Sequence, residues 1–195
     1  MQLTVDDTAA QDEAISTHTG RSFRPLDPQP EQIALADLAH GLSNVCRGAG
    51  QTAFFYSVSL HSIHVTEELA RNDESELVQF YGLLHDAAEA YVTDVPSPLK
   101  CHLPGYREIE DDIQAAVWAA FDVDQPSDEQ YRAVKRADRA LGQYELPELF
   151  PQQTWEGERP DLDYDLRADA RFDVPRRFEA MAGDLAGRVG ASVPT

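Results

Sequence analysis

Lysine is nearly absent from this chain. Lys100 and Lys135 are its two lysines, and arginine supplies the rest of the 16 basic residues. Against them stand 35 Asp and Glu, which gives a formal net charge of -19 over 195 residues. A basic footprint is missing, so duplex nucleic acid is not an expected partner. Salt screens repulsion between dense carboxylates, and we therefore expect a halophilic source, with an ordinary acidic protein as the alternative.

Cysteine and long apolar runs are scarce as well. Cys46 and Cys101 form neither a CxxC pair nor a disulfide framework, which indicates a reducing, cytoplasmic environment. No apolar run approaches the roughly 20 residues that span a bilayer, and the acidic N-terminus is unlike a signal peptide. These absences predict a cytoplasmic protein without a membrane partner.

The periodicity of the apolar residues predicts an all-α protein. Leucine, isoleucine and valine recur at helical spacing in most segments, which indicates a bundle of about five to seven helices. The predicted helices cover residues 31–47, 57–70, 74–92, 106–121, 128–144 and 174–188, with a short strand near 21–23 and a loop at 147–160.

The length and the even composition predict one domain. We expect a flexible N-terminal segment at 1–17, a single domain at 18–188, and a tail at 189–195. The sequence shows no internal repeat and no composition shift that would mark a second domain.

The most informative stretch is the apolar run that contains His85, Asp86 and Glu89. On a continuous helix, i and i+4 share a face and i+1 is rotated by about 100°, so these three side chains could converge. Titratable groups are costly to bury unless they bind something. The pattern therefore predicts one divalent transition metal ion, with Mn, Co, Fe, Zn and Ni not distinguished. The alternative is a hydrogen-bonded polar cluster.

A metal needs further ligands, and two positions can supply them. His61 lies on the helix before the central one, although His64 on the same helix competes with it. Asp138 lies among inward-facing residues of a later helix, where a capping or solvated role is the alternative. Two imidazoles and two carboxylates would leave positions open for water and substrate.

The ordered set His61, His85-Asp86 and Asp138 resembles the HD-domain metal-dependent phosphohydrolases, over roughly residues 18–144. Glu89 and Asp94 stand where the bacterial 5′-deoxynucleotidases of that superfamily carry a catalytic acidic pair. Two further segments, 19–21 and 37–47, resemble short phage and prokaryotic HD proteins of the dATP triphosphohydrolase type. The resemblance implies an HD-type helical bundle, His61 rather than His64 as the ligand, a nucleotide substrate, and a homo-oligomer.

Three basic residues are predicted to bind the substrate. The chain has two lysines, and both lie at informative positions. Lys100 is at the end of the central motif, and Lys135 is three residues before Asp138, where i and i+3 share a helical face. The resemblance adds Arg47 as a phosphate contact. Surface salt bridges are the alternative for each of the three. In the related proteins an aromatic residue commonly follows this arginine and could stack on a base, whereas this chain has Gly48; Phe54, Phe55 or Tyr91 are the candidate substitutes.

Taken together, these residues predict a metal-dependent phosphohydrolase acting on (deoxy)nucleotides. Glu89, helped by Asp94, would orient or deprotonate a water, and the basic residues would neutralise phosphate charge. Both a 5′-deoxynucleotidase and a dNTP triphosphohydrolase fit the motifs. The alternatives are a phosphodiesterase of a signalling nucleotide, whose Gly-Tyr-Pro signature is missing here, and a non-catalytic metal-bound scaffold.

Overall fold

The computed structural model describes residues 13–156, 159–167 and 173–195, and the fold is all-α, as predicted. The helices are α1 (Leu35–Asn44), α2 (Val58–Arg71), α3 (Glu76–Leu84), α4 (Glu89–Val92), α5 (Ser97–Lys100), α6 (Tyr106–Ala120), α7 (Asp128–Leu149) and α8 (Val174–Val189). Short 3-10 turns lie at Pro30–Gln32 and Arg47–Gly50. Two-residue strands β1 (Ile15–Ser16) and β2 (Ser22–Phe23) pair antiparallel, with Ile15 opposite Phe23.

The N-terminal part of the chain differs in detail from the prediction. The predicted strand near residues 21–23 is present as β2. Residues 1–12 of the predicted flexible segment lie outside the described residues, and Ile15–Ser16 of that segment is held in β1. The helix predicted at 31–47 is shorter, because Ala34 and Val45 have extended backbone conformations at the ends of α1.

Helix α2 lies at the centre of the bundle. It packs against α1, α3, α7 and α8, and His61 on it has no exposed surface. Helix α3 approaches α2 closely at Gly82, where a Cβ atom would lie 2.3 Å from Leu69 Cδ1. A larger residue at position 82 would require the Leu69 side chain to move, and His85 follows Gly82 by three residues.

The helix predicted at 74–92 is not continuous. After Leu84 the backbone tightens into turns with i to i−3 hydrogen bonds, from Ala87 N to Leu84 O and from Glu89 N to Asp86 O, both at 3.0 Å. With about three residues per turn, i and i+3 are aligned and i+4 is rotated away by about 120°. The prediction that His85 and Glu89 share one helical face was therefore wrong. The side chains of His85 and Glu89 therefore occupy two separate positions.

The start of helix α7 agrees with the prediction, whereas its end does not. Its start was predicted correctly, and Ser127 caps it together with Gln130 in a capping box. Its end was not, because the helix continues through Pro147 to Leu149, so the predicted loop begins later. Pro147 removes one backbone donor close to the last turn, where few helical hydrogen bonds depend on it. The additional turn places Glu145 inside the helix.

The C-terminal tail also contacts the bundle, since Leu35 N donates to Pro194 O at 3.0 Å. Among the residues that the structure describes, no helix combines the length and the apolar composition needed to cross a membrane.

Candidate metal centre

His85 lies in the turn that follows α3, and the turn determines which ring nitrogen is free. Its Nδ1 lies 2.8 Å from the carbonyl oxygen of Gly82. A carbonyl only accepts, so Nδ1 carries the proton and Nε2 presents a lone pair. Nε2 is buried, has no hydrogen-bond partner among the described residues, and lies 3.1 Å from Asp86 Oδ2.

His61 has the same arrangement from the opposite side. Its Nδ1 donates to the Glu145 carboxylate, at 2.9 Å from Oε1 and 3.1 Å from Oε2. Its Nε2 lies 3.2 Å from Asp138 Oδ1 but makes no aligned hydrogen bond in the described structure. Both imidazoles are thus oriented through Nδ1, and both direct into the same space an Nε2 that lies near a carboxylate but makes no aligned hydrogen bond.

The structure brings the four predicted ligands together. Donor atoms of His61, His85 and Asp86 all lie within 4.8 Å of one another. Asp138 Oδ1 completes the group at 4.0 Å from His85 Nε2. We call these four residues the open cluster. Buried nitrogen atoms without a partner are costly, and two imidazoles with two carboxylates suit a divalent transition metal, so the residues fit such an ion.

The electrostatics of the open cluster favour positive charge. Burial and the Arg47 cation oppose protonation of His61, but the carboxylates of Glu145 and Asp138 outweigh them and raise its pKa to about 9. A group of carboxylates that attracts a proton this strongly attracts a divalent cation for the same reason.

Sequence reasoning missed Glu145. It is fully buried, and besides His61 it accepts a hydrogen bond of 2.7 Å from the Tyr56 hydroxyl. The hydroxyl oxygen in turn lies 2.9 Å from His64 Nδ1. We call Glu145, Tyr56 and His64 the inner network. A carboxylate behind a metal-binding imidazole fixes its tautomer and orientation. The sequence feature that could have identified Glu145 is its spacing from Asp138. Glu145 follows Asp138 by seven residues on α7 and so lies on the same face.

His64 therefore lies behind the open cluster and not in it. Burial lowers its pKa to about 4, which keeps the ring neutral beside Tyr56. The ring also lies 4.8 Å from the ring of Tyr164, whose hydroxyl donates to Glu68 at 3.0 Å. Ring and hydrogen-bond contacts continue away from the open cluster along this path.

Arg47 bridges the inner network and the open cluster. Its Nε is 3.5 Å from Glu145 Oε2, and one terminal nitrogen is 3.9 Å from Asp86 Oδ2. Burial would lower the pKa of the Arg47 guanidinium, but these two carboxylates raise it, so the charge is permanent. About a fifth of the side chain remains exposed. Arg47 is close enough to the open cluster to meet a ligand bound there.

The turn after Arg47 is held from two sides. Gly48 N donates to Asp94 Oδ2 at 2.9 Å, so Asp94 acts on the turn and not directly on the open cluster. Gly48 has a φ of 61°, and a Cβ on it would lie 2.6 Å from Phe150 Cζ. The ring of Phe150 thus abuts position 48, where the resemblance had predicted an aromatic residue.

Two of the three predicted aromatic candidates make other contacts. Arg167 covers the ring of Phe54 at 4.1 Å, and Tyr91 stacks on Phe23 at 3.8 Å. Phe150 is an aromatic residue that sequence reasoning did not select for this position, because it was placed in a loop.

Glu89 occupies a second buried position beside the open cluster. Its Oε1 accepts from Lys100 Nζ at 3.3 Å, and its Oε2 is buried without a partner among the described residues. Burial, with the nearby carboxylates of Asp86 and Asp94, raises the pKa of Glu89 to about 9. Lys100 also donates to Glu110 at 2.7 Å. Lys100, one of the predicted substrate contacts, is therefore bound by two carboxylates.

Lys135 lies where the i, i+3 spacing predicted. Its Nζ is 3.0 Å from Asp138 Oδ2, and the side chain is about two-fifths exposed. It can contact the open cluster and solvent at the same time.

Comparison with known proteins gives relatives of unknown activity. No protein-family model matches the chain. It is 37% identical over 103 residues to the uncharacterized protein YfdR of Escherichia coli, a match that covers 53% of this chain and 55% of YfdR. It is also 37% identical over 138 residues to the uncharacterized protein RCAP_rcc00048 of Rhodobacter capsulatus, covering 67% of this chain and 70% of that protein. The chain belongs to the family of RCAP_rcc00048. Neither relative's name states an activity, so any function has to come from the geometry of the site.

Proposed function

We propose that the protein is a metal-dependent phosphohydrolase of the HD superfamily that acts on (deoxy)nucleotides. The observation that carries the proposal is the pair of buried Nε2 atoms of His61 and His85. Each is oriented by an acceptor on Nδ1, and neither has a hydrogen-bond partner among the described residues. A purely structural cluster would leave such atoms paired.

A divalent ion held by the open cluster would supply a bound water of lowered pKa and would polarise a phosphoryl oxygen. The residues of the chain prepare that position. Glu145 and the Gly82 carbonyl hold the two imidazoles in the tautomer that exposes Nε2. Asp86 and Asp138 contribute the negative charge that offsets the charge of a divalent cation.

Glu89 is the proposed proton acceptor. Burial raises the pKa of this carboxyl group above neutral while the open cluster is empty. The charge of a divalent cation in the open cluster would lower that pKa again, so that Glu89 could accept a proton near neutral pH. Lys100 holds Oε1 and leaves Oε2 free, so it positions the base. Asp94 positions Arg47 through the Gly48 turn and also contributes to the raised pKa.

The substrate phosphate would be bound by cations at the rim of the open cluster. Arg47 and Lys135 approach Asp86 and Asp138 respectively and remain partly exposed. Lys100 is more tightly engaged, because its two carboxylates lie at 3.3 and 2.7 Å, whereas the two beside Arg47 lie at 3.5 and 3.9 Å. This difference supports Arg47 and Lys135 as the proposed phosphate contacts and Lys100 mainly as the partner of Glu89.

The test combines metal analysis with product analysis. The protein is stripped with a chelator and reconstituted separately with Mn, Co, Fe, Zn and Ni. Elemental analysis then measures metal per chain, and chromatography measures products from a panel of deoxynucleoside mono- and triphosphates. We expect one ion per chain, and release of phosphate or triphosphate. Failure to retain any of the five metals would reject the centre. A loaded protein that releases nothing would instead be a metal-bound scaffold.

A further inference from the structure

The outer face of α7 carries a groove of about 450 Å³ beside the metal centre. Four of its lining residues are basic: Arg132, Lys135, Arg136 and Arg139. None of its described lining residues is acidic. The whole chain has 16 basic residues and a net charge of -19, so this concentration of positive charge stands out from the rest of the surface.

The charges in the groove are available to a ligand. Arg132 and Arg136 make ion pairs of 3.4 Å with Asp128 and 3.3 Å with Glu74, but both arginine side chains are about two-thirds exposed. Exposed pairs of this kind contribute little and exchange readily for a stronger anion. Arg139 is exposed and has no ion-pair partner in the described part of the chain.

The groove adjoins the open cluster at Lys135. Lys135 lines the groove and also lies 3.0 Å from Asp138 in the open cluster. A smaller cavity of about 90 Å³ is bordered by His85 and shares Tyr131 and Lys135 with the groove. An anion that reaches the metal centre could therefore extend along α7.

We propose that this groove binds the phosphate chain of a nucleoside di- or triphosphate, with Arg136 and Arg139 as its outer contacts. The inference rests on the proposed function of the metal centre and specifies its substrate as polyphosphorylated. Residues three and four apart share a helical face, so Arg132, Lys135, Arg136 and Arg139 form one strip along α7. Guanidinium groups bind phosphate oxygens in pairs, and an extended phosphate chain offers such oxygens along its length.

A compact polyanion fits better than a long one. Phosphates of a nucleotide would contact the strip alone, whereas a nucleic-acid strand would continue past it onto a surface of net negative charge.

The test measures binding of inorganic tripolyphosphate to the metal-free protein by calorimetry, so that it does not depend on turnover. Wild type is compared with Arg136→Gln/Arg139→Gln, and Arg24→Gln/Arg176→Gln serves as a control with the same charge change at two exposed positions. Measurements use the lowest KCl concentration at which circular dichroism shows native helix content. We expect the groove variant to bind at least about tenfold more weakly, as loss of charge-assisted hydrogen bonds predicts, and the control to bind like wild type.

The other outcomes separate the two proposals. Equal binding by both variants, or no binding by wild type, would overturn the groove assignment. A groove variant that changed oligomeric state without changing tripolyphosphate binding would make this face an interface between copies. Normal tripolyphosphate binding by a protein that hydrolyses no nucleotide would leave the groove as an anion site and reject the enzymatic function. With an active enzyme, the ratio of kcat/KM for deoxynucleoside triphosphate to that for monophosphate should fall about tenfold in the groove variant.

Discussion

The two ring nitrogens of His61 face two different environments. On the Nδ1 side, the inner network of Glu145, Tyr56 and His64 satisfies its polar groups by hydrogen bonds of 2.7 to 3.1 Å. On the Nε2 side, the imidazole nitrogens of the open cluster lie near carboxylates but make no aligned hydrogen bond in the described structure. Both sides contain carboxylates, so composition does not separate them. Burial separates them only in part, since the Asp86 and Asp138 side chains are a fifth to a quarter exposed and Glu145 is fully buried. The two sides are distinguished by the hydrogen-bonding capacity that is left unmet on the Nε2 side, and this identifies the side that should bind a ligand.

The largest expected effect comes from removing the residue that the two sides share. His61→Ala should lower metal content from one ion per chain to nearly zero, and phosphate or triphosphate release with it. Elemental analysis and product chromatography measure both. His102→Ala, at an exposed position, is the matched control and should behave like wild type. A His61→Ala protein that retained a full equivalent of metal would exclude His61 from the centre.

The next effect isolates chemistry from metal binding. Glu89→Ala should retain metal and helix content but lower turnover by about two to four orders of magnitude, the usual contribution of a general base. Glu108→Ala, an exposed carboxylate on α6, provides the control. If Glu89→Ala lost the metal as readily as His61→Ala, Glu89 would be a ligand. Near-normal activity would contradict its role as a base.

Weakening the inner network should act on the metal indirectly. Glu145→Gln keeps the size of the side chain but removes the charge that orients His61 and pairs with Arg47. Metal affinity should fall by about 10–100-fold, as for other residues that support a ligand. Competition with a chromophoric chelator measures it. Glu148→Gln, an exposed position on the same helix, should leave the affinity unchanged.

The smallest effect is confined to stability. Burial, partly offset by the charge of Glu145, lowers the pKa of folded His64 to about 4, whereas an unfolded histidine titrates near 6.5. Between these values the unfolded chain binds more protons, so the free energy of unfolding should decrease as pH falls from about 6.5 towards 4. The His64 contribution is at most on the order of 3 kcal/mol.

Urea unfolding of wild type and His64→Gln across that pH range measures this contribution. The variant should show a weaker decrease, and His102→Gln should retain the wild-type one. Parallel pH profiles for wild type and His64→Gln would show that His64 does not titrate on unfolding.

The sequence predicted the fold class well, because apolar periodicity reports which faces are buried. It placed His61, His85, Asp86 and Asp138 near one another through a resemblance to a known ligand order, and the structure brings their side chains together. It could not predict the turns after Leu84. Those residues have helical composition, and the change from i−4 to i−3 hydrogen bonds depends on tertiary packing.

Two further differences have the same origin. Glu145 was missed because a buried glutamate is recognised by what it contacts, and its partners Tyr56 and His61 lie more than 80 positions away. Pro147 was read as the end of α7, since the pattern does not show that the last turn tolerates it. Phe150 was therefore assigned to a loop, although its ring packs against Gly48.

That contact between Gly48 and Phe150 has a consequence for the evolution of the family. Two positions about a hundred residues apart compete for one volume, so a bulky side chain can be supplied by only one of them. We expect them to covary in an alignment: sequences with an aromatic residue after the arginine of this turn should have a small residue at the end of α7, and sequences with glycine should have a large one.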